Sequence, residues 1–135
     1  MKKVVLLPIL VVAVLLTVGV MVEAQQPTKI PRIGYLAAAS ASANPARIEA
    51  FRLGLRELGY VEGKNIIIEW RYAEGKLDRL NQLVAELVRL KVDVIVTGGP
   101  QATRRASEAT KTIPIVMGFD NDPVGAGFIA SLAAR

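Results

Sequence analysis

The stretch VDVIVTGGP at residues 92–100 decides the fold, because it joins a buried strand directly to the start of a helix. Its first five residues are almost all apolar and β-branched, which is typical of a central parallel strand covered on both faces. Gly98 and Gly99 permit a tight turn, and Pro100 suits the first position of a helix. The stretch therefore predicts a strand, a turn and a helix in immediate succession.

The same unit recurs along the chain, so strands and helices are expected to alternate strictly. Such alternation predicts the α/β class, with a three-layer arrangement of a parallel sheet and helices on both of its faces. We expect the strand order 2-1-3-4. A parallel sheet ending at its fourth strand would expose an edge, so we expect an incomplete lobe of a larger fold. The expected strands are 32–37, 66–72, 92–96 and 113–117, and the helices are expected to begin at 45, at about 76, at 100 and at 123.

Helical spacing predicts which apolar side chains face the sheet. In strand 66–72 the even positions are apolar and the charges stand at 69 and 71, which is typical of a strand near the sheet edge. Trp70 and Tyr72 are interpreted as sheet packing rather than as a platform for a ligand. The inward helical positions are expected to be Ile48, Phe51, Leu55 and Leu58, then Leu77, Leu80, Leu83, Val84 and Leu87, then Ala102, Ala106 and Ala109.

Residues 1–24 have the three parts of a secretory signal peptide. Two lysines precede an uncharged apolar run at residues 4–22, and Val22-Glu23-Ala24 provides a small-x-small exit. An uncleaved membrane anchor is the alternative, because a run of this length is able to span a bilayer. Pro8, Thr17 and Gly19 interrupt the run, so we expect cleavage after Ala24 and a periplasmic mature part at 25–135.

The composition excludes several classes of function. The chain has no His and no Cys, which removes the commonest general base, the thiolate nucleophile and thiolate metal sites. The net charge is +5, but the basic residues are scattered and aromatic residues are few, which argues against nucleic-acid binding. Neither a dinucleotide fingerprint, a phosphate-binding loop nor a nucleophile elbow is present. We therefore expect a non-enzymatic protein without cofactor or metal.

Three helices are expected to begin with proline after a strand, at Asn44-Pro45, Gly99-Pro100 and Asp122-Pro123. In a parallel sheet these starts share the carboxyl edge, where helix N-termini favour anions and polar ligand groups. The alternative is that these residues only cap helices and turn the chain. Asp120 lacks a capping role and is expected to accept a hydrogen bond from a ligand amine. As an alternative, the nearby carboxylates of Asp120 and Asp122 suit acid–base chemistry or a divalent cation. The candidate ligand-binding residues are Ser40, Ser42, Asn44, Gly98, Gly99, Asp120 and Asp122.

Two blocks carry a family resemblance, FRLGLRELGY at residues 51–60 and DPVGAG at residues 122–127. With the order and spacing of the other segments, they closely resemble the ABC-transporter substrate-binding family that includes tryptophan- and tyrosine-binding lipoproteins. The resemblance implies a two-lobed, type-I periplasmic-binding fold that closes on a small solute, commonly an aromatic amino acid or a related molecule. It also implies first-lobe contacts in the neighbourhoods of Ser40–Ser42, Gly98–Gln101 and Asp120–Asp122. The chain lacks the lipoprotein cysteine, and the family continues well past the second block.

The expected function is the extracytoplasmic solute-binding component of an ABC importer, which captures a small solute for the permease subunits in the membrane. The first alternative is a ligand-sensing domain that an uncleaved segment 4–22 holds at the membrane. The second is a small exported enzyme of flavodoxin-like shape.

Overall fold

A computed structural model describes residues 29–119, which form one sheet and the helices that pack on it. The elements alternate as the sequence predicts, and a short 3-10 turn at Ala41–Ala43 precedes the first helix. In chain order they are β1 (Arg32–Ala37), α1 (Pro45–Glu57), β2 (Ile67–Tyr72), α2 (Arg79–Arg89), β3 (Val94–Gly98), α3 (Pro100–Ala109) and β4 (Ile115–Phe119).

The four strands pair in the order β2-β1-β3-β4, and all three pairings are parallel. The predicted α/β class and strand order are therefore confirmed. The pairing of Ala37 with Gly98 aligns the carboxyl ends of β1 and β3, the two strands in the middle of the sheet. Because β1 and β3 run parallel and end in register, the loops that follow them lie at the same edge of the sheet.

Each face of the sheet has its own apolar core. Leu36, Ile95 and Leu87 are fully buried on the face covered by α2 and α3. On the opposite face Tyr35 and Val96 pack with apolar side chains of α1 and β2. Because successive strand side chains point to opposite faces, β1 contributes Leu36 to one core and Tyr35 to the other. Helices on both faces are thus confirmed for the described part of the chain.

Three expected inward positions are wrong, and all of them lie at helix ends. Leu58 caps the end of α1 and is 76% exposed, and Leu77 precedes the first residue of α2 and is 45% exposed. Ala109 is the last residue of α3 and is also exposed. The side chains at these helix ends lie beyond the sheet. They therefore have no sheet surface to pack against, although the helical spacing predicts an inward position. The other helical positions in the expected set are buried or half-buried.

Several element boundaries also need correction. β3 and β4 each begin and end two residues later than expected, β2 begins one residue later, and α2 begins at Arg79 instead of at about residue 76. Before β4 the Thr110 hydroxyl accepts the N–H groups of Thr112 and Ile113, which holds the chain in a bend. Pro114 has no N–H, and its carbonyl accepts the Ile95 N–H at 2.9 Å as pairing starts. The expected signal peptide and the expected helix from Asp122 lie outside the described residues.

The edge position of β2 is confirmed, and ion pairs line one of its faces. Arg71 donates to Glu86 of α2 at 2.9 Å and lies 3.5 Å from Glu69, which in turn is 3.7 Å from Arg32. Charged side chains on an edge strand oppose pairing with another chain. Within residues 29–119, no helix is long and apolar enough to cross a membrane.

Asp93 joins the amino ends of β1 and β3 by a reciprocal pair of hydrogen bonds. The Arg32 N–H donates to the Asp93 carboxylate at 2.7 Å, and the Asp93 N–H donates to the Arg32 carbonyl at 2.8 Å. Lys29 lies 3.7 Å from the same carboxylate. The Arg32 N–H, followed by the charges of Lys29 and Arg32, holds the pKa of Asp93 below its ordinary value of 3.8.

We predict that Asp93→Asn removes a pH-dependent part of the stability. A lowered folded-state pKa stabilises the fold above the unfolded value and ceases to do so as pH falls through the folded value. In thermal unfolding, the melting temperature of the wild type should exceed that of D93N by a constant difference above about pH 5. This difference should shrink as the pH falls below 3.8. A difference that stays the same down to about pH 2 would contradict this role of the Asp93 charge.

A matched pair of glycine substitutions tests the packing of α2 on β1. A Cβ on Gly34 would lie 3.0 Å from both terminal carbons of the buried Leu87, whereas a Cβ on Gly54 in α1 meets nothing within 4 Å. Gly34→Ala should therefore cost about 1–3 kcal/mol of unfolding free energy by overpacking. Gly54→Ala should add about 0.5–1 kcal/mol, because it removes a helix-interior glycine. Urea unfolding measures the change in unfolding free energy for each variant. Equal changes in the two variants would refute the packing argument.

Candidate functional site

The predicted binding loops do meet at the carboxyl edge of the sheet. Ala37 pairs with Gly98, and an added Cβ on Gly98 would lie 3.3 Å from the Ala37 Cβ. The helices that begin at Pro45 and Pro100 therefore start beside neighbouring strand ends. The third predicted start, Asp122-Pro123, lies outside the described residues, as does Asp120.

The loop after β1 presents its polar side chains toward solvent. The hydroxyls of Ser40 and Ser42 lie 3.1 Å apart, with Ser40 half-buried and Ser42 exposed. Asn44 occupies the N-cap position of α1, but its side chain makes no capping hydrogen bond. Both serine hydroxyls and the Asn44 amide are thus placed at the edge of the sheet, where a polar ligand would reach them.

The turn after β3 is held by the protein itself. Gly99 has a φ of +102°, which side chains other than glycine rarely adopt, and its N–H donates to the Phe119 carbonyl at 3.2 Å. Its carbonyl accepts the N–H of Thr103 at 3.1 Å and the Thr103 hydroxyl at 3.0 Å. The Gly99 N–H is therefore engaged within the fold. The next two amides, those of Gln101 and Ala102, precede the first hydrogen bond of the helix, and the Gln101 side chain is exposed.

A β-bulge changes the direction of the last side chain of β4. Thr97 pairs with Met117, but Gly98 pairs with Phe119, so Gly118 is an extra residue between the two pairs. Phe119 therefore lies on the α1 face of the sheet, next to Gly98. Without the bulge, strand alternation would turn it to the other face.

The bulge completes a cleft of about 390 Å³ between α1 and the carboxyl half of β1, β3 and β4. We name this cleft the α1 recess. Its volume lies within the range of small-molecule sites. Its wall is aromatic and aliphatic, and its polar groups are the Tyr35 hydroxyl and the Arg47 guanidinium. The recess is lined by Tyr35, Arg47, Ala50, Phe51, Val96, Gly118 and Phe119.

Arg47 lies at the mouth of the α1 recess, in the first turn of α1. Its guanidinium carbon is 4.0 Å from the centroid of the Phe119 ring, a cation–π contact. The Arg47 side chain is exposed. Within residues 29–119 it makes no ion pair, so its N–H groups have no anionic partner in that part of the chain.

Tyr35 lies at the base of the α1 recess and is only 6% exposed. Burial raises the pKa of its hydroxyl, and the Arg47 charge acts in the opposite direction. The ring packs against Phe51, Trp70 and Tyr72 with centroid distances of 5.0–5.9 Å. Trp70 and Tyr72 thus serve sheet packing, as the sequence suggested.

The sequence reasoning missed Tyr35, Arg47 and Phe119. One signal was available: Tyr35 stands at an inward position of a strand, where its hydroxyl needs a partner. The position of Phe119 had no such signal, because it depends on the bulge. No group of three potential metal ligands is found among residues 29–119, and no carboxylate lines the α1 recess.

Comparison with known proteins gives consistent results. Residues 32–135 match the family model described as ABC transporter substrate binding protein. A "Tyrosine-binding protein" of Clostridioides difficile (strain R20291) is 33% identical over 84 residues, which are 62% of this chain and 24% of that protein. The chain therefore spans about a quarter of this curated relative's length.

Three solved structures of similar proteins each cover about three quarters of the chain. A conserved domain protein from Vibrio cholerae superposes with a TM-score of 0.72 at 31% identity, over 77% of this chain and 35% of that one. An ABC domain in complex with L-Trp from Streptococcus pneumonia gives 0.71 at 26% identity, over the same two shares. A ligand-free, open substrate-binding protein with adhesive properties from Clostridium difficile gives 0.70 at 27% identity, over 76% and 35%.

Two buried threonine hydroxyls beside the Gly99 turn give a testable prediction. The Thr97 and Thr103 hydroxyls are 2.7 Å apart and buried, and Thr103 also donates to Gly99. Thr103→Val leaves the buried Thr97 hydroxyl without its partner and removes one of the two hydrogen bonds to the Gly99 carbonyl, so it should cost about 1–3 kcal/mol in chemical denaturation. Thr112→Val, at an exposed position, should change stability by less than about 0.5 kcal/mol. Similar costs for the two variants would show that the buried pair does not hold the turn.

Proposed function

Because the chain belongs to the family of ABC transporter substrate-binding proteins, we propose that it is the extracytoplasmic solute-binding component of an ABC importer. The family is one of binding proteins rather than enzymes. The observation that carries the proposal is the match of residues 32–135 to the family, together with two loops that meet at the carboxyl edge. Ligands of open α/β sheets bind at this edge.

The proposed solute is a small molecule such as an amino acid. One relative is named for tyrosine, and one solved relative is described in complex with L-Trp. The edge offers what a zwitterion needs, because helix starts attract a carboxylate and neutral oxygens accept from an amine. The proposed contacts are Ser40, Ser42, Asn44, Gly98, Gly99, Gln101, Asp120 and Asp122.

Binding at this edge requires no chemical step. Serine hydroxyls and amide groups exchange hydrogen bonds with the solute, and the buried turn at Gly98 and Gly99 permits close approach of its backbone. The solute would then pass unchanged to permease subunits in the membrane. We propose that the mature protein lies in the periplasm after cleavage of residues 1–24. The cleavage can be measured directly.

N-terminal sequencing of the exported protein tests the placement. A mature start at Gln25 supports a free periplasmic protein, because the apolar run 4–22 has then been removed. A protein that keeps Met1 and sediments with membranes would instead favour the ligand-sensing alternative, since an uncharged run of this length is able to hold a domain at a bilayer.

Calorimetric titration of the gene's full exported product with the standard amino acids tests the function itself. We expect at least one of them to bind, and Gln101→Ala to weaken that binding by about two- to tenfold through the loss of a hydrogen bond at the edge. Gln82→Ala, at an exposed position on α2, is the control and should bind like the wild type. Absence of heat with every amino acid and related metabolite would overturn the proposal.

A further inference from the structure

The exposed apolar side chains are concentrated at the amino edge of the sheet, which lies opposite the proposed solute contacts. This edge consists of the segments 29–31, 58–66, 90–93 and 110–114, each of which precedes one of the parallel strands. Eight large apolar side chains of residues 29–119 are exposed, and five of them lie in these segments. The five are Ile30, Leu58, Tyr60, Val61 and Leu90, with exposed fractions between 37% and 76%. Exposed apolar side chains gathered at one end of a molecule indicate an interaction surface.

Hydrogen bonds hold the first two segments of the amino edge together. The Pro31 carbonyl accepts the Ile67 N–H at 2.9 Å, which joins the segment before β1 to the start of β2. The Asn65 side chain accepts the Val61 N–H at 2.7 Å and donates to the Gly59 carbonyl at 2.8 Å. The two segments form a cleft of about 400 Å³ lined by Lys29, Ile30, Pro31, Tyr60 and Asn65. The exposed apolar side chains of this cleft are therefore carried by a hydrogen-bonded backbone.

Lysines lie among the apolar side chains of the amino edge. Residues 29–119 contain five lysines, and four of them belong to the segments of this edge, whereas Lys76 follows β2 at the other edge. Lys64 and Lys91 are exposed and make no ion pair within residues 29–119. The four lysines of the amino edge are Lys29, Lys64, Lys91 and Lys111.

Two carboxylates accompany the four lysines, and both are engaged within the fold. Glu62 accepts hydrogen bonds from Arg52 at 3.2 Å and from the Trp70 indole at 2.8 Å. Asp93 accepts the Arg32 N–H at 2.7 Å. The four segments therefore carry a net positive charge, which favours an anionic partner.

The mixture of lysine and apolar side chains fits a lipid bilayer better than a protein partner. Protein interfaces are depleted in lysine and enriched in arginine. At a bilayer, a lysine lays its apolar stem along the surface and extends its ammonium group to anionic headgroups. The ring and hydroxyl of Tyr60 suit the same boundary. The sequence also joins the fold at this edge, because the uncharged apolar run 4–22 precedes Lys29.

We propose that the amino edge binds the surface of a bilayer that contains anionic lipids. Ile30, Leu58 and Val61 would enter the headgroup region, and the lysines would contact lipid phosphates. The carboxyl edge then faces away from the bilayer, so solute contacts at that edge stay open. The inference goes beyond the proposed function, because it concerns the opposite edge of the sheet and needs no solute.

Co-sedimentation with lipid vesicles tests the inference on the gene's full exported product without residues 1–24, so that the apolar run does not contribute. One set of vesicles contains phosphatidylglycerol and phosphatidylcholine in equal parts, and the other contains phosphatidylcholine alone. Lys64→Glu reverses a charge of the amino edge, and Lys76→Glu is its control on the other edge. Leu58→Ser removes an apolar side chain that is 76% exposed, and Leu77→Ser, at 45% exposure before α2, is its control.

The wild type should bind the phosphatidylglycerol vesicles more tightly than pure phosphatidylcholine, and added salt should weaken this binding. K64E should lower the affinity by about fivefold or more, whereas K76E should lower it by less than about twofold. L58S should weaken binding several-fold and L77S should not. All four variants should melt close to the wild type, because the changed side chains are exposed.

Three results would overturn the inference. One is a wild type that binds neither set of vesicles. Another is an equal loss of binding in K64E and K76E, which would show that the total charge matters and the amino edge does not. The third is a wild type that ignores vesicles but forms dimers in sedimentation velocity that L58S abolishes, since the edge would then be an interface between two copies. The proposed function is measured separately by amino-acid calorimetry, so none of these results decides it.

Discussion

The parallel pairing of β1 with β3 is the constraint on which the rest of the structure depends. Its register, from Ile33 with Val94 to Ala37 with Gly98, fixes which loops share an edge. The reciprocal hydrogen bonds of Asp93 and Arg32 extend it at the amino end. A slip by one residue would exchange the buried Leu36 and Tyr35 between the faces, which the two different cores do not tolerate.

The two faces of the sheet differ in how they are packed. The face under α2 and α3 is packed by aliphatic side chains, and Leu87 packs closely against Gly34 of β1. The face under α1 holds the aromatic cluster, the cleft beside it and the Tyr35 hydroxyl, which has no hydrogen-bond partner among residues 29–119. Aliphatic packing favours a unique arrangement without polar groups to satisfy, whereas a cleft with a few polar groups suits a ligand.

At the carboxyl edge of the sheet, the backbone and the side chains have different surroundings. The Gly99 turn is stabilised from within by Phe119 and Thr103, so it serves as a rigid support and its N–H is not available to a ligand. Among the described residues, the serine and asparagine side chains of the loop after β1 make only the hydrogen bond between Ser40 and Ser42. A rigid support with adaptable polar groups beside it is what a reversible binding site requires, because little conformational entropy is then lost on binding.

The amino-acid sequence by itself determined the elements, the strand order and the edge that carries the predicted loops. Apolar spacing is a local property, and right-handed connections between parallel strands leave few ways to arrange four of them. It did not determine that Leu58, Leu77 and Ala109 face solvent, because spacing does not say where a helix passes the limit of the sheet. Only the tertiary structure brought Tyr35, Arg47 and Phe119 together. The β-bulge that places Phe119 exists only when β4 pairs with β3, so the α1 recess is a consequence of pairing between distant strands.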